Sequence, residues 1–353
     1  MITLPGLIDP HVHFRTPGQT QKEDFTTGTQ AAIAGGYTTV LDMPNNATPI
    51  TTLALLKEKQ LIAKQQTLCD IGFHFGSLGE NLDEFAKVQD GVMGMKIYLN
   101  QTTGGFIVDD KVFAKICEAW PKQLPLLLHA EADVIEQMIE IGHKAGQKLH
   151  ICHVSSETEL GTIINAKQKG YALTCGVTPH HLFLNAEEGA KLGPFGLMKP
   201  ALKPQKDIDF LWSHLKDIDL IEGDHAPHTL AEKQATPPAF GVPSLETAVG
   251  LLFTALSENK LTVADITRLC HDGAAKIFNI TTDAETKIEV DETATWTVEN
   301  QKLFSKCKWS PFNGWKLTGK VKAVYIRGTK VFEDGTMLAQ PGSGTVLKDI
   351  TGK

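Results

Sequence analysis

The sequence predicts an α/β fold: a closed (β/α)8 barrel with a small β-rich appendage. Three observations predict it. Short apolar runs alternate with amphipathic segments over most of the 353 residues, eight such runs can be told apart, and beyond Phe278 the alternation gives way to strand-like stretches with short polar turns. Strand–helix alternation implies parallel strands joined by crossover helices. Eight repeats favour a closed barrel over an open doubly wound sheet.

The strands fall near 7–13, 37–43, 69–75, 93–99, 125–129, 149–154, 171–177 and 219–224, each a short apolar run. Amphipathic, helix-period stretches lie between most of them, at 53–66, 109–120, 133–145, 156–169 and 207–215. Stretches 289–298 and 319–332 read as strands of the appendage. The expected division is therefore a barrel over 1–285 and an appendage over 286–353. Two loops have functional composition: 100–105, rich in Thr and Gly after the fourth strand, and 229–243, which holds Pro237, Pro238, Gly241 and Pro243 after the eighth. Loops at that face of a barrel carry the active site.

Bulk properties narrow the function. A hydrophobic fraction of 42% allows a large core, and a net charge of -7 argues against a nucleic-acid or anionic-membrane surface. The start, Met1-Ile2-Thr3-Leu4-Pro5, has neither a charged region nor a long apolar run, so no secretion signal is expected. No stretch approaches the length of a membrane span. The six cysteines, Cys69, Cys117, Cys152, Cys175, Cys270 and Cys307, form no C-x-x-C pair and read as free thiols of a reducing cytoplasm.

The ends of the strands carry the chemistry. The first closes on Asp9-Pro10-His11-Val12-His13, where alternation puts His11 and His13 on one face. Lys96 lies in the fourth strand, His129 ends the fifth, His153 the sixth and Asp224 the eighth. In a barrel these positions converge on one rim. Imidazoles with a carboxylate suit zinc better than the all-oxygen cations. By the same alternation, Cys152 is expected to face away from His153.

These residues sit in segments that resemble the dihydroorotases of the amidohydrolase superfamily, above all the type found in the animal multifunctional pyrimidine-synthesis polypeptide and in related bacterial enzymes. The matching segments include PGLIDPHVHFRTPG, MKIYLN, LHAEAD, HICHVS, TPHHLFL and GDHAPHTLAEK. The resemblance implies a barrel of the metal-dependent amidohydrolase type with two zinc ions per chain. His11, His13 and Asp224 would hold one and His129 and His153 the other, with Lys96, N6-carboxylated, bridging both. A hydroxide shared by the metals would be the nucleophile and Asp224 the general acid/base, in the reversible cyclisation of N-carbamoyl-L-aspartate to L-dihydroorotate. Arg15, Asn45 and His228 match residues that bind the substrate carboxylate, and Thr102 matches a loop residue that closes over the substrate. Backbone groups near Phe240 and Gly241 would recognise the pyrimidine edge. His180 and His181 match a family motif and are expected to support the ligands from behind. A homodimer and an aspartate transcarbamoylase partner are further implications.

The match departs in places. Gly176 stands where close relatives carry a glutamate that supports an additional metal, so two metals are expected rather than three. Lys199 replaces an arginine, which keeps the charge but loses its bidentate fork. Thr103 replaces a loop aromatic. Allantoinases and hydantoinases share the ligand pattern, but Arg15 with Asn45 argues for a substrate bearing an extra carboxylate. A catalytically silent scaffold is the other rival, and the filled ligand positions argue against it.

Overall fold

Alternation along each strand decides which side chains meet the helices and which fill the barrel. The computed structural model describes residues 1–100 and 107–352, apart from the side chains of 132 and 133. Ile2–Pro5 (β1) leads into Leu7–Val12 (β2), Tyr37–Asp42 (β3), Asp70–Gly76 (β4), Gly94–Tyr98 (β5), Leu126–His129 (β6), Leu149–Ile151 (β7), Leu173–Val177 (β8) and Leu220–Ile221 (β9). Strands β2 to β9 lie side by side in chain order and all run parallel. The circle closes through His225: its N–H donates to His11 O (3.3 Å), and His13 N–H donates to His225 O (2.9 Å). The expected barrel is thus the one observed, with strand ends shifted by up to three residues.

Leu126, Leu128, Leu149, Ile151, Ile71 and Phe73 face outward into the main core against the helices. Ile8, Leu41, Leu127 and Leu220 face inward and pack with Phe278, at the end of the helix Gly273–Phe278. The inward positions beyond this apolar layer are polar, and they make the site. The expected helices appear as Leu53–Gln66, Asp110–Ala119, Ala132–Lys144, Glu157–Gln168 and Gln205–Ser213. Side-chain caps fix several starts: Ser156 accepts from Glu159 N–H while Glu159 reaches back, a reciprocal capping box. Two further helices, Phe25–Ala34 and Leu245–Ser257, carry little amphipathic signal, the first because threonines and a glycine blur its stripe, the second because it is buried on most sides.

Lys287–Thr297 (β10), Lys316–Ile326 (β11), Thr329–Glu333 (β12) and Thr336–Met337 (β13) form the antiparallel appendage, and β1 joins it by pairing with β10, Ile2 opposite Val290. The appendage sheet therefore draws on both ends of the chain, where 286–353 alone was expected. The N-terminal strand covers what would be a bare edge of β10. The last residues leave the appendage for the barrel: Ile71 N–H donates to Thr345 O (2.9 Å) and Leu347 N–H to Ile71 O (2.7 Å). Among the described residues, no helix is long and apolar enough to cross a membrane. The six cysteines are buried and unpaired.

Candidate metal centre

At the C-terminal rim the chain leaves several strands through residues with left-handed backbone: Arg15 (φ 61°), His153 (φ 42°) and Asp224 (φ 43°). Such a conformation is uncommon outside glycine. Each of these side chains points into a cleft with an empty volume of about 380 Å³. His11, His13, Lys96, His129, His153 and Asp224 all line it, so residues from five parts of the sequence meet. Larger clefts, of about 1000 and 1290 Å³, lie elsewhere on the surface and bring together no such set.

Hydrogen bonds fix the histidine tautomers. His11 Nδ1 lies 3.0 Å from Glu222 Oε2 and His13 Nδ1 lies 2.7 Å from Asn45 Oδ1; both oxygens accept, so both Nδ1 atoms donate. That leaves Nε2 of each ring as a lone pair facing Asp224 Oδ1, at 3.4 Å and 2.9 Å. Two lone pairs against a carboxylate repel unless a cation or proton lies between them. Across the cleft, His129 Nδ1 and His153 Nε2 approach to 2.9 Å. Burial lowers His13 to about 4 and His129 to about 3, and pushes His153 well down, so these rings are neutral ligand-type imidazoles near neutral pH. Burial alone would raise Asp224, but positive charge shared with His11, His13 and His153 outweighs it and holds the carboxylate well below its usual range.

Lys96 is the misfit that completes the set. Its Nζ is buried with no hydrogen-bond partner among the described residues, as are His129 Nε2 and His153 Nδ1. Ligand atoms of His11, His153 and Asp224 lie within 4.8 Å of one another. Orphaned buried donors around a carboxylate fit one or more divalent cations, with Lys96 converted to an anion.

Glu222 was missed in the sequence. It shares a face with Leu220 and Asp224 by two-residue spacing, which was the available signal. It is fully buried beneath the site, takes the His11 hydrogen bond, and accepts from the His153 backbone N–H. The expectation for Cys152 is corrected. Its Sγ lies within 4.8 Å of ligand atoms of His11 and Glu222, so it faces the interior. Alternation along β7 puts His150 and Cys152 inward, and the left-handed turn at His153 brings that side chain in as well.

The substrate-side residues occupy the rest of the wall. Arg15 lies past the end of β2, so its left-handed φ and not strand alternation aims it inward; its Nε donates to Pro227 O (3.3 Å) and Nη2 meets His228 Nε2 (3.3 Å). Asn45 lines the cleft while orienting His13. His228 is buried behind Arg15, off the cleft wall. Phe240, Gly241 and Lys199 close one side, with Lys199 Nζ 5.4 Å from the Phe240 ring centroid. The buried Lys233 draws that loop in, donating to Leu197 O (3.1 Å), Ala239 O (2.9 Å) and Gly241 O (3.0 Å). Tyr98, two residues past Lys96 on the same face, also lines the cleft. His181 Nε2 donates to Pro200 O (3.0 Å), whereas neither ring nitrogen of its buried neighbour His180 has a partner among the described residues. Thr102 and Thr103 lie outside the described residues.

Residues 2–331 match the model of the amidohydrolase family. The chain is 40% identical over 346 residues to the multifunctional protein CAD of Squalus acanthias, covering 98% of this chain and 15% of that protein. It is 37% identical to the multifunctional protein pyr1-3 of Dictyostelium discoideum, of which it spans 16%. It is 36% identical over 372 residues to a dihydroorotase of Pyrococcus horikoshii, covering 99% of this chain and 85% of the relative. Among solved structures, the L-hydantoinase of Arthrobacter aurescens superposes with a TM-score of 0.91 at 23% identity, covering 98% and 88% of the two chains, a likeness of fold. The inactive dihydroorotase-like domain of a CAD-like protein from Chaetomium thermophilum gives 0.83 at 25% identity, covering 98% and 99%.

Proposed function

The chain belongs to the amidohydrolase family, and from that premise we propose that it is a dihydroorotase, interconverting N-carbamoyl-L-aspartate and L-dihydroorotate in pyrimidine synthesis. The observation that carries the reading is one cleft holding six ligand-type residues with Arg15 on its wall. His11, His13 and Asp224 would hold one zinc ion, His129 and His153 a second, and Lys96 as a carbamate would bridge them. When bound, the metals supply an activated water and polarise the attacked carbonyl.

The chain's own residues do the rest. Asp224, kept ionised by the positive charge it shares with its histidine neighbours, accepts a proton and returns it to the leaving ring nitrogen. Arg15 presents its guanidinium to the substrate carboxylate, steadied by Pro227 O and His228. Asn45 holds the His13 tautomer and adds a polar contact. Backbone groups near Phe240 and Gly241, on the cleft wall, recognise the pyrimidine edge. The unpaired buried thiols suit a reducing cytoplasm. Homodimerisation and an aspartate transcarbamoylase partner are carried as proposals that native mass measurement tests.

The deciding experiment measures turnover of dihydroorotate, allantoin and hydantoin by one purified sample whose metal content is also determined. Fastest cleavage of dihydroorotate with about two zinc ions per chain supports the reading. Faster cleavage of allantoin or hydantoin overturns the substrate, and no turnover with a filled site points to a scaffold. Lys96→Ala should empty the centre and abolish turnover; unchanged metal content would sink the carbamate bridge.

A further inference from the structure

We propose that Glu222 is the positioning residue that couples the two halves of this centre, and that it fills from just past β9 a place open to a side chain at position 176 on β8. The proposal rests on the metal-centre reading above. Glu222 has no solvent exposure, and its two oxygens divide their work. Oε2 accepts from His11 Nδ1 at 3.0 Å, which fixes the tautomer that turns His11 Nε2 toward Asp224. Oε1 accepts from the backbone N–H of His153. His153 is the residue whose left-handed φ swings its ring into the cleft, so this bond holds a turn that the backbone does not favour. One carboxylate thus orients a ligand assigned to each metal.

The neighbours explain why position 176 is a glycine. A Cβ built there would lie 2.6 Å from Glu222 Oε1 and 2.8 Å from Leu220 Cδ1. No side chain fits at 176 while Glu222 is in place. An aspartate's oxygens lie two bonds from its own Cβ, about the separation of that built Cβ from Oε1. Aspartate at 176 would therefore set a carboxylate oxygen where Oε1 now sits, provided that Glu222 were shortened and the flexible end of Leu220 turned aside. His150 Nε2, 3.7 Å from Oε2, and Cys152 complete the surroundings, and neither replaces the bonds to His11 and His153.

Zinc affinity measured by competition with a chelator tests this, alongside kcat, KM and thermal melts. Glu222→Gln keeps the shape but offers one acceptor and one donor to two N–H groups. It should bind zinc roughly 10- to 100-fold more weakly and lose kcat more than KM, because partners that orient a metal ligand are worth about that much. Glu222→Ala should do the same or more. Gly176→Asp combined with Glu222→Ala should regain at least about tenfold of the lost affinity. Gln binding zinc within about twofold of the parent would overturn the proposal even if melting temperature falls, since that pattern marks a purely structural role. A swap that rescues nothing would overturn the part concerning position 176. A parent protein that holds no zinc would overturn the metal-centre reading itself, a result distinct from the other two.

Discussion

The same backbone conformation serves opposite ends in two regions. In the appendage, Arg327 (φ 49°) and Asp334 (φ 46°) are left-handed at two-residue turns between β11 and β12 and between β12 and β13, each followed by a glycine that is also left-handed. Both side chains are exposed. Such turns match the twist of the strands that they join, and their N–H groups find partners nearby, Arg327 N–H donating to Thr286 Oγ1 (2.9 Å) and Asp334 N–H to Lys322 O (2.8 Å). At the barrel rim, Arg15, His153 and Asp224 are left-handed, buried and without a following glycine. There the conformation persists because buried hydrogen bonds hold it, and what it achieves is the aim of a side chain. Position on the rim, and not φ itself, separates a turn from a site.

The largest expected effect breaks the rim. Asp224→Asn keeps a residue that tolerates the left-handed turn but removes the proton acceptor. Activity should fall by about 10²- to 10⁴-fold while the melting temperature of metal-free protein moves by no more than about 3 °C. An equally large loss of stability would show that Asp224 is chiefly structural. A smaller effect tests the joint between the two regions. Glu246 accepts from the Phe304 and Ser305 N–H groups, and burial raises it to about 7. Its folded value lies above its unfolded value of 4.5, so the folded state binds more protons between them. Its contribution to stability is therefore full below pH 4.5 and is lost as pH rises toward 7. Denaturant titrations should show Glu246→Gln to be more stable than the parent at pH 8, by about 1 kcal/mol, with the advantage gone at pH 4.5. An advantage that does not depend on pH would rule out this titration. The smallest effect sharpens the contrast from the other side. Asp334→Asn in its exposed turn should change stability by no more than about 0.5 kcal/mol and leave turnover unchanged.

Much of the frame was legible because the barrel's rules are local. Leu126-Leu127-Leu128-His129 reads as a strand with a polar inward end, and that is what forms. Ligand-type residues at the ends of such strands converge because the fold makes all the ends neighbours. What escaped depended on departures from alternation or on partners far away in sequence. Cys152 was turned the wrong way because a period of two cannot anticipate the left-handed φ of His153. Arg15 lies beyond β2 and reached the cleft by a left-handed turn, which strand alternation does not foresee. Glu222 drew no notice because its worth lies in His11 and in the space left by Gly176, neither adjacent in sequence. The strand Ile2–Pro5 was too short to stand out until Lys287–Thr297 gave it a partner.

The seam through which the barrel closes has a consequence for folding. His11 and His13 exchange backbone hydrogen bonds with His225, beside Asp224, so the last contact of the circle and the first ligands are the same residues. Joining them closes a loop of more than 200 residues, an entropic cost that no local helix or hairpin offsets. The centre therefore cannot preassemble in a partly folded chain. On the metal-centre reading, a cation held between His11, His13 and Asp224 would work as a clasp on the barrel's own circumference. Opening the seam would then also release the ion, so amide protection at His13 and His225 should rise with the free metal concentration c as RT ln(1 + c/Kd).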